Sequence, residues 1–159
     1  MPTRLGIGAL VACLSLVLMV SGDAMARAGA RTTRRCVRVV DGDTIVLAGG
    51  EKVRLIGVDT PELHHPVKPV QYFAREARDF VYAQVQGRDV GLEYDQTRRD
   101  RYGRTLAYVF LADGTLLNEL IIARGYGFAY VKFPFRADYM RRFRAAEARA
   151  RQQQMGLWK

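Results

Sequence analysis

The stretch CVRVVDGDTIVLAGGEKVRLIGVDTPE, residues 36–62, decides the fold. CVRVV alternates apolar and polar residues, DGD signals a turn, TIVL is β-branched and apolar, AGGE turns again, and KVRLIGV is strand-like once more. Three closely spaced strands with tight turns predict an antiparallel meander. The third strand has two odd features. It carries a cation, Arg54, and it runs out into Asp59, Thr60 and Glu62. A strand that needed only a polar end could stop at Gly57.

Downstream, PELHHPVKPV has three prolines in ten residues and reads as an exposed loop. QYFAREARDFVYAQVQ places Ala74, Ala77, Val81 and Val85 at helical spacing, with Gly87 just beyond its end. DVGLEYD and RTLAYVFLA are two more strands, separated by the polar segment QTRRDRYG. TLLNELIIARG is a short helix stopped by Gly125, and FAYVKFPF is extended and limited by its proline. The final amphipathic helix, from Arg136, carries Tyr139, Phe143, Ala146 and Ala150 on one stripe. Five short, mostly antiparallel strands and three helices, one of them inserted after the third strand, predict an α+β fold. The barrel that fits is a five-stranded OB-fold β-barrel of Greek-key order, an architecture that binds oligonucleotides on one face.

Upstream, residues 1–26 read as a secretory signal peptide. Arg4 precedes an uncharged run over residues 5–20, and Ala24-Met25-Ala26 offers small residues for cleavage. No twin-arginine pair precedes the run, so the general secretory route is expected. As a membrane anchor the run falls short of the ~20 residues that span a bilayer comfortably. As a lipoprotein signal it places Cys13 well, but apolar residues continue to Val20 where such a chain turns polar. Cleavage near Ala26 would deliver a secreted or periplasmic protein. Residues 27–34 then form a basic, flexible lead-in, and 35–159 form one domain. Cys36 would be the only cysteine left, which excludes an internal disulfide and suits a small buried apolar residue.

Charge narrows the partner. With 25 basic and 16 acidic residues the chain carries +9, and arginine far outnumbers lysine. Such a surface attracts polyanions, because neutralising phosphates releases condensed counterions. Arginine's planar fork grips phosphate bidentately.

Adjacent strands of the meander each present acids near an end. Asp-Gly alone is a hairpin signal, and Asp41 reads as a turn residue. If the strands pair, Asp43 and Asp59 converge, and two close carboxylates repel unless a cation lies between them. Hard oxygen ligands in an exported chain suggest calcium, its shell completed by a backbone carbonyl, water and substrate oxygens. Arg54 either faces solvent on an edge strand or points inward, where it needs anionic company. Arg104 follows Tyr102 and Gly103 at a strand start. Two arginines, an acid pair and Glu62 make a phosphodiester-cleaving site. Enzymatic rates exceed the uncatalysed reference at least ~10⁶-fold, and one general base supplies only about 10²–10⁴ of that. The remainder must come from holding the phosphate and neutralising the charge that grows on it. His64 and His65, neighbours in a proline loop, read as solvated rather than metal-binding.

VVDGDTIVL, VRLIGVDTPE, DRYGRTLAYVF and GFAYV, in this order and spacing, resemble the thermonuclease (staphylococcal nuclease-like) family, from about Arg35 to Trp158. The combination of D-G-D-T, R-L-x-x-V-D-T-P-E and D-x-Y-G-R is specific where D-G-D-T alone is not. The resemblance implies an OB barrel with three helices and a calcium-dependent nuclease acting on DNA and RNA to leave 3′-phosphates. By that resemblance Asp43, Asp59 and the backbone carbonyl of Thr60 ligate Ca2+, and Glu62 is the general base. Arg54 and Arg104 hold the scissile phosphate, while Tyr102 and Tyr130 line the nucleotide pocket. Arg101 replaces a lysine near a terminal phosphate. The implied enzyme is a monomer without a stable protein partner, meeting the membrane only during export. Two departures stand out. The loop LHHPVKPVQYF has fewer lysines than the family's best-known members, and AREA replaces a frequent Gly-Pro before Glu-Ala. The competing reading is a noncatalytic OB-fold nucleic-acid binder, but such domains typically lose the acids or the arginines, and all five are present here.

Overall fold

Strand alternation builds the meander in the computed structural model, which describes residues 31–64, 67 and 69–159. The expected signal peptide, residues 1–26, lies outside the described residues, as do residues 27–30 of the lead-in. β1 (Thr32–Asp41), β2 (Thr44–Leu47) and β3 (Lys52–Leu55) pair antiparallel, with Cys36 opposite Leu47 and Thr44 opposite Arg54. There follow β4 (Val58–Asp59), α1 (Ala74–Val85), β5 (Asp89–Glu93), β6 (Thr105–Phe110), α2 (Leu117–Ala123), β7 (Phe128–Ala129) and α3 (Ala137–Gln152). A 3-10 turn, Gly156–Trp158, ends the chain. The barrel closes in the order β1-β2-β3-β6-β5, with β3 and β6 parallel and the other pairs antiparallel. This is the expected α+β architecture: a closed five-stranded barrel of OB type with three helices.

Three boundaries differ from the sequence reading. First, β1 begins at Thr32, so Thr32, Thr33 and Arg34 are strand rather than flexible lead-in. They pair with Leu92, Gly91 and Val90 of β5, and register shifts after Cys36 and Val39 let the same strand turn onto β2. One bulged strand thereby serves both partners and closes the barrel. Second, KVRLIGV is two strands. Gly57 breaks it at φ +72°, and a Cβ there would lie 2.7 Å from the Phe135 ring and 2.8 Å from the Phe143 ring. The chain therefore leaves the barrel at Leu55 and pairs again, as β4, with β7. Third, α1 starts at Ala74 instead of Gln71, because Phe73 holds a left-handed φ of 67° and stacks on Tyr126.

The helical stripes bury as their spacing requires. Ala74, Ala77, Val81 and Val85 of α1, and Tyr139, Phe143, Ala146 and Ala150 of α3, are all buried. Cys36 is wholly buried in the barrel core beside such residues as Leu47, Val53 and Leu92, and burial pushes its thiol pKa up. Among the described residues no helix is long and apolar enough to cross a membrane. Buried Asn118 on α2 accepts the Val109 N–H at 2.9 Å and donates to the Ile56 carbonyl at 2.8 Å, tying the helix to the break after β3.

α3 docks through a polar network at its first turn. The Tyr108 hydroxyl donates to Asp95 at 2.6 Å, and the N–H groups of Gln96 and Arg136 donate at 2.7 and 2.9 Å. The Arg136 guanidinium reaches Glu93 and Asp138. Burial works to raise the Asp95 pKa, but these donors together hold it below the ordinary carboxylate range. A depressed folded pKa contributes stability that is complete above the unfolded value of about 4 and is lost as pH falls through the folded value. Asp95→Asn is therefore expected to lower stability at pH 7 by about 1–3 kcal/mol. Urea unfolding should show the gap between variant and wild type closing in acid. A gap that persists unchanged once Asp95 is protonated would show that the carboxylate is not its source.

Candidate active site

β3 and the break after it place Arg54 among acids. Only 15% of its side chain reaches water. Nη2 donates to Asp59 Oδ1 at 3.1 Å, and Nη1 lies 2.6 Å from Asp43 Oδ2. The Nη1 hydrogens are not aimed at that oxygen, so the contact is coulombic and Nη1 remains a buried donor without an aligned acceptor. The inward alternative for Arg54 thus holds, with Asp43 and Asp59 as its anionic company.

Asp43 is itself buried, and both of its oxygens accept hydrogen bonds. Thr44 Oγ donates to Oδ1 at 2.9 Å, while Thr60 donates to Oδ2 through both its N–H (3.0 Å) and its hydroxyl (3.1 Å). Close approach makes this possible: a Cβ on Gly42 would meet Thr60 Cγ2 at 2.9 Å and Ala77 at 3.0 Å. Burial raises the Asp59 pKa; Arg54 opposes the rise, whereas the negative charges of Asp43 and Glu62 add to it. Three carboxylates share one field there. That field, the oxygen-only donor set and the unaligned buried Nη1 fit a hard cation with an anionic ligand beside it. Among the described residues no three His, Cys, Asp or Glu side chains form a ready-made metal cage. A cation at Asp43 and Asp59 would complete its shell from carbonyl, water and ligand oxygens.

A pocket of about 880 Å³ opens beside this pair, with Arg54, Asp59, Arg101, Tyr102, Arg104 and Tyr130 on its wall. Arg104 is held by Asp100, whose Oδ2 accepts its Nε–H at 2.7 Å and whose Oδ1 accepts the backbone N–H of Tyr102 and Arg104 at 2.9 and 3.0 Å. Burial would raise the Asp100 pKa, but these donors keep it low, so the carboxylate stays ionised. Arg101 and Arg104 both approach the Tyr102 ring, which is 68% exposed at the pocket mouth. Tyr130 is half-buried opposite Phe133, itself 67% exposed, with ring centroids 5.9 Å apart.

Asp43, Thr60 and Glu62 are not on the pocket wall. Asp43 and Thr60 are joined to it through Arg54 and Asp59, and Glu62 through its field at Asp59. The Glu62 side chain is exposed, but its backbone is pinned. Its N–H donates to Gln71 Oε1 at 2.9 Å, and the Gln71 N–H donates to its carbonyl at 3.1 Å.

Sequence reasoning assigned no role to Gln71, Asp100 or Phe133. Asp100 had a legible signal, an acid four residues before Arg104 across a Gly turn; Gln71, nine residues from its partner, had none. Asp41 is more than a turn residue, since Oδ1 accepts the Leu63 N–H at 3.4 Å and lies 3.4 Å from His64 Nδ1. His64 is exposed, as expected, and His65 lies outside the described residues.

Residues 52–159 match the family model described as staphylococcal nuclease homologue. The chain is similar to the thermonuclease of Staphylococcus hyicus, with 40% identity over 131 residues, covering 79% of this chain and 75% of that protein. It is likewise 41% identical over 125 residues to the thermonuclease of Staphylococcus intermedius, covering 76% of this chain and 73% of that one. Endonuclease YncB of Bacillus subtilis strain 168 is 38% identical over 126 residues, covering 76% of this chain and 59% of that protein.

The two tethers can be tested apart from any activity. A hydrogen bond to a charged acceptor is worth about 1.5–3 kcal/mol, or roughly 10- to 100-fold in local opening. In Asp100→Ala the amides of Tyr102 and Arg104 should exchange with solvent faster by about that factor. Gln71→Ala should release the Glu62 amide by a smaller one. Unchanged exchange at these amides would mean that the tethers do not hold the loops.

Proposed function

The chain belongs to the staphylococcal nuclease homologue family, and from that premise we propose that it hydrolyses phosphodiester bonds of DNA and RNA in a calcium-dependent reaction leaving 3′-phosphates. The observation that carries the reading is the meeting of Arg54, Asp59 and Arg104 at one pocket, with Asp43 joined to it through the same guanidinium. Asp43, Asp59 and the backbone carbonyl of Thr60 would hold the ion, which when bound neutralises charge on the phosphodiester.

The protein's own groups divide the remaining work. Arg54 and Arg104 grip the phosphate from two sides, and the unaligned Nη1 of Arg54 supplies a donor for a phosphate oxygen. Asp100 and the acid pair hold the two guanidinium groups in place before substrate arrives, so little reorganisation is needed as charge grows. Glu62 accepts the proton of the attacking water; its exposure keeps it reachable, and the Gln71 clamp keeps its backbone still. Tyr102 and Tyr130 stack against the flanking bases, a contact that tolerates any sequence. Arg101 takes a neighbouring phosphate.

Degradation of plasmid DNA and of RNA, with calcium and then with chelator, tests the reading. Cleavage of both should require calcium and stop on chelation. Glu62→Gln should keep nucleic-acid binding and slow cleavage at saturating substrate by about 10²-fold or more. Arg54→Lys and Arg104→Lys should also be severe, because an ammonium cannot reproduce a bidentate grip. Full activity in chelator would sink the metal assignment. Binding without cleavage would establish the noncatalytic binder instead.

We also propose export, with the signal removed near Ala26. N-terminal sequencing of the mature protein should read from about Arg27. A lipid-modified start at Cys13 would make it a lipoprotein.

A further inference from the structure

The outer face of α3 is strongly basic, and the two acids of the helix, Asp138 and Glu147, pair with Arg136 and Arg151. Arg141, Arg144 and Arg149 are exposed, and none has a carboxylate partner among the described residues. The other arginines in and around the helix are engaged: Arg136 with Glu93 and Asp138, Arg142 with Glu119, and Arg151 with Glu147. Exposed Ala145 and Ala148 separate the free arginines and leave them unscreened by longer side chains. The buried stripe of Tyr139, Phe143, Ala146 and Ala150 fixes which way this face points, namely away from the barrel.

Position connects the face to the pocket. Arg136 and Ala137, at the start of α3, line the pocket wall. From there the helix runs 16 residues, about 24 Å, and the free arginines spread over about 12 Å of that length. Strand phosphates repeat every ~3.4 Å along a duplex, so a polynucleotide leaving the pocket beside α3 would bring several within reach of these side chains. No large apolar side chain is exposed among them, which disfavours insertion into a lipid surface.

We infer that the outer face of α3, through Arg141, Arg144 and Arg149, is a second substrate-binding surface that grips the phosphates of a polynucleotide beyond the cleavage pocket. The inference rests on the nuclease reading. It adds a length preference: long substrates use this face, and substrates too short to leave the pocket do not.

The test compares Arg141→Gln/Arg144→Gln/Arg149→Gln with a control of equal charge loss, Arg38→Gln/Lys52→Gln/Arg88→Gln, whose three positions are also exposed and without a carboxylate partner among the described residues. Binding to a 30-base-pair duplex is followed by fluorescence anisotropy from 50 to 200 mM salt, with both triples in the Glu62→Gln background to prevent cleavage. The α3 triple should make the slope of log affinity against log salt shallower by about 2–3 and weaken binding at 0.1 M salt by about tenfold or more. Arg141→Gln alone should shift the slope by about 1, which keeps the test valid if the triple folds poorly. In the active background, cleavage of a trinucleotide should be unaffected by the α3 triple while the KM for long DNA rises. Equal slopes in the α3 triple and its parent, or an equal fall in the control triple, overturn the inference. So does loss of binding to anionic phosphatidylserine vesicles with duplex binding intact, which would assign the face to a membrane. If the otherwise wild-type chain cleaves nothing with calcium, the nuclease reading fails separately, because the duplex-binding comparison does not depend on turnover.

Discussion

Arg54 carries a positive charge into the end of the barrel, where only 15% of its side chain is exposed. An isolated buried charge costs several kcal/mol, so the surrounding chain must deliver anions to it. Asp43 comes from the turn before β2, and Asp59 from β4 beyond the break at Gly57. Thr60 then organises Asp43 through two hydrogen bonds. The geometry of the first meander, the exit of the chain from β3 and the close approach at Gly42 all serve this one charge. The same arrangement leaves a donor unaligned and sets the charges of Asp43 and Glu62 against that of Asp59, a state that the proposed cation and an anionic substrate would complete.

Around this centre, groups on loops are held by short-range tethers. Asp100 bonds two backbone amides and the Arg104 guanidinium, so the turn between β5 and β6 is tethered although it is exposed. Gln71 clasps Glu62 from the far end of the proline loop, which separates the position of the acid from the conformation of the residues between. Asp41 tethers the first residues of that loop. At the other rim, the Asp95 network fixes the start of α3 against the barrel, and with it the segment bearing Tyr130 and Phe133. The candidate site thus combines strand residues, Arg54 and Asp59, with loop residues that polar tethers hold to the barrel.

Much of this is legible in the amino-acid sequence. Alternation located the strands of the meander, and helical spacing picked out the buried stripes of α1 and α3 residue by residue. The acids and arginines stood out because a strand has no structural reason to contain them. The misplaced boundaries have specific causes. Thr32–Arg34 look like a basic tail because the two threonines stay exposed even in the strand and Arg34 is only half-buried; pairing with β5 uses only their backbones. KVRLIGV looks like one strand because Gly57 interrupts it through φ and through the Phe135 and Phe143 rings, which arrive from distant positions in the chain. Phe73 delays the start of α1 by adopting a conformation that no local rule assigns to phenylalanine.

The sequence by itself determined the fold class, the family and the identity of the residues gathered at the site, because periodicity and motif spacing are local properties of the chain. Tertiary structure alone decided how those residues are connected. Arg54 faces inward because Asp43 and Asp59 meet it there, Arg104 is steady because Asp100 folds back on it, and Glu62 is pinned by a glutamine nine residues away. It also decided which arginines are spent on partners and which remain free: Arg142 finds Glu119 on another helix, while Arg141, Arg144 and Arg149 find none among the described residues. The physical reason is the short range of the interactions. Hydrogen bonds and ion pairs act over about 3–4 Å, so a side chain's partner is set by the folded path of the backbone and cannot be read from its neighbours in sequence.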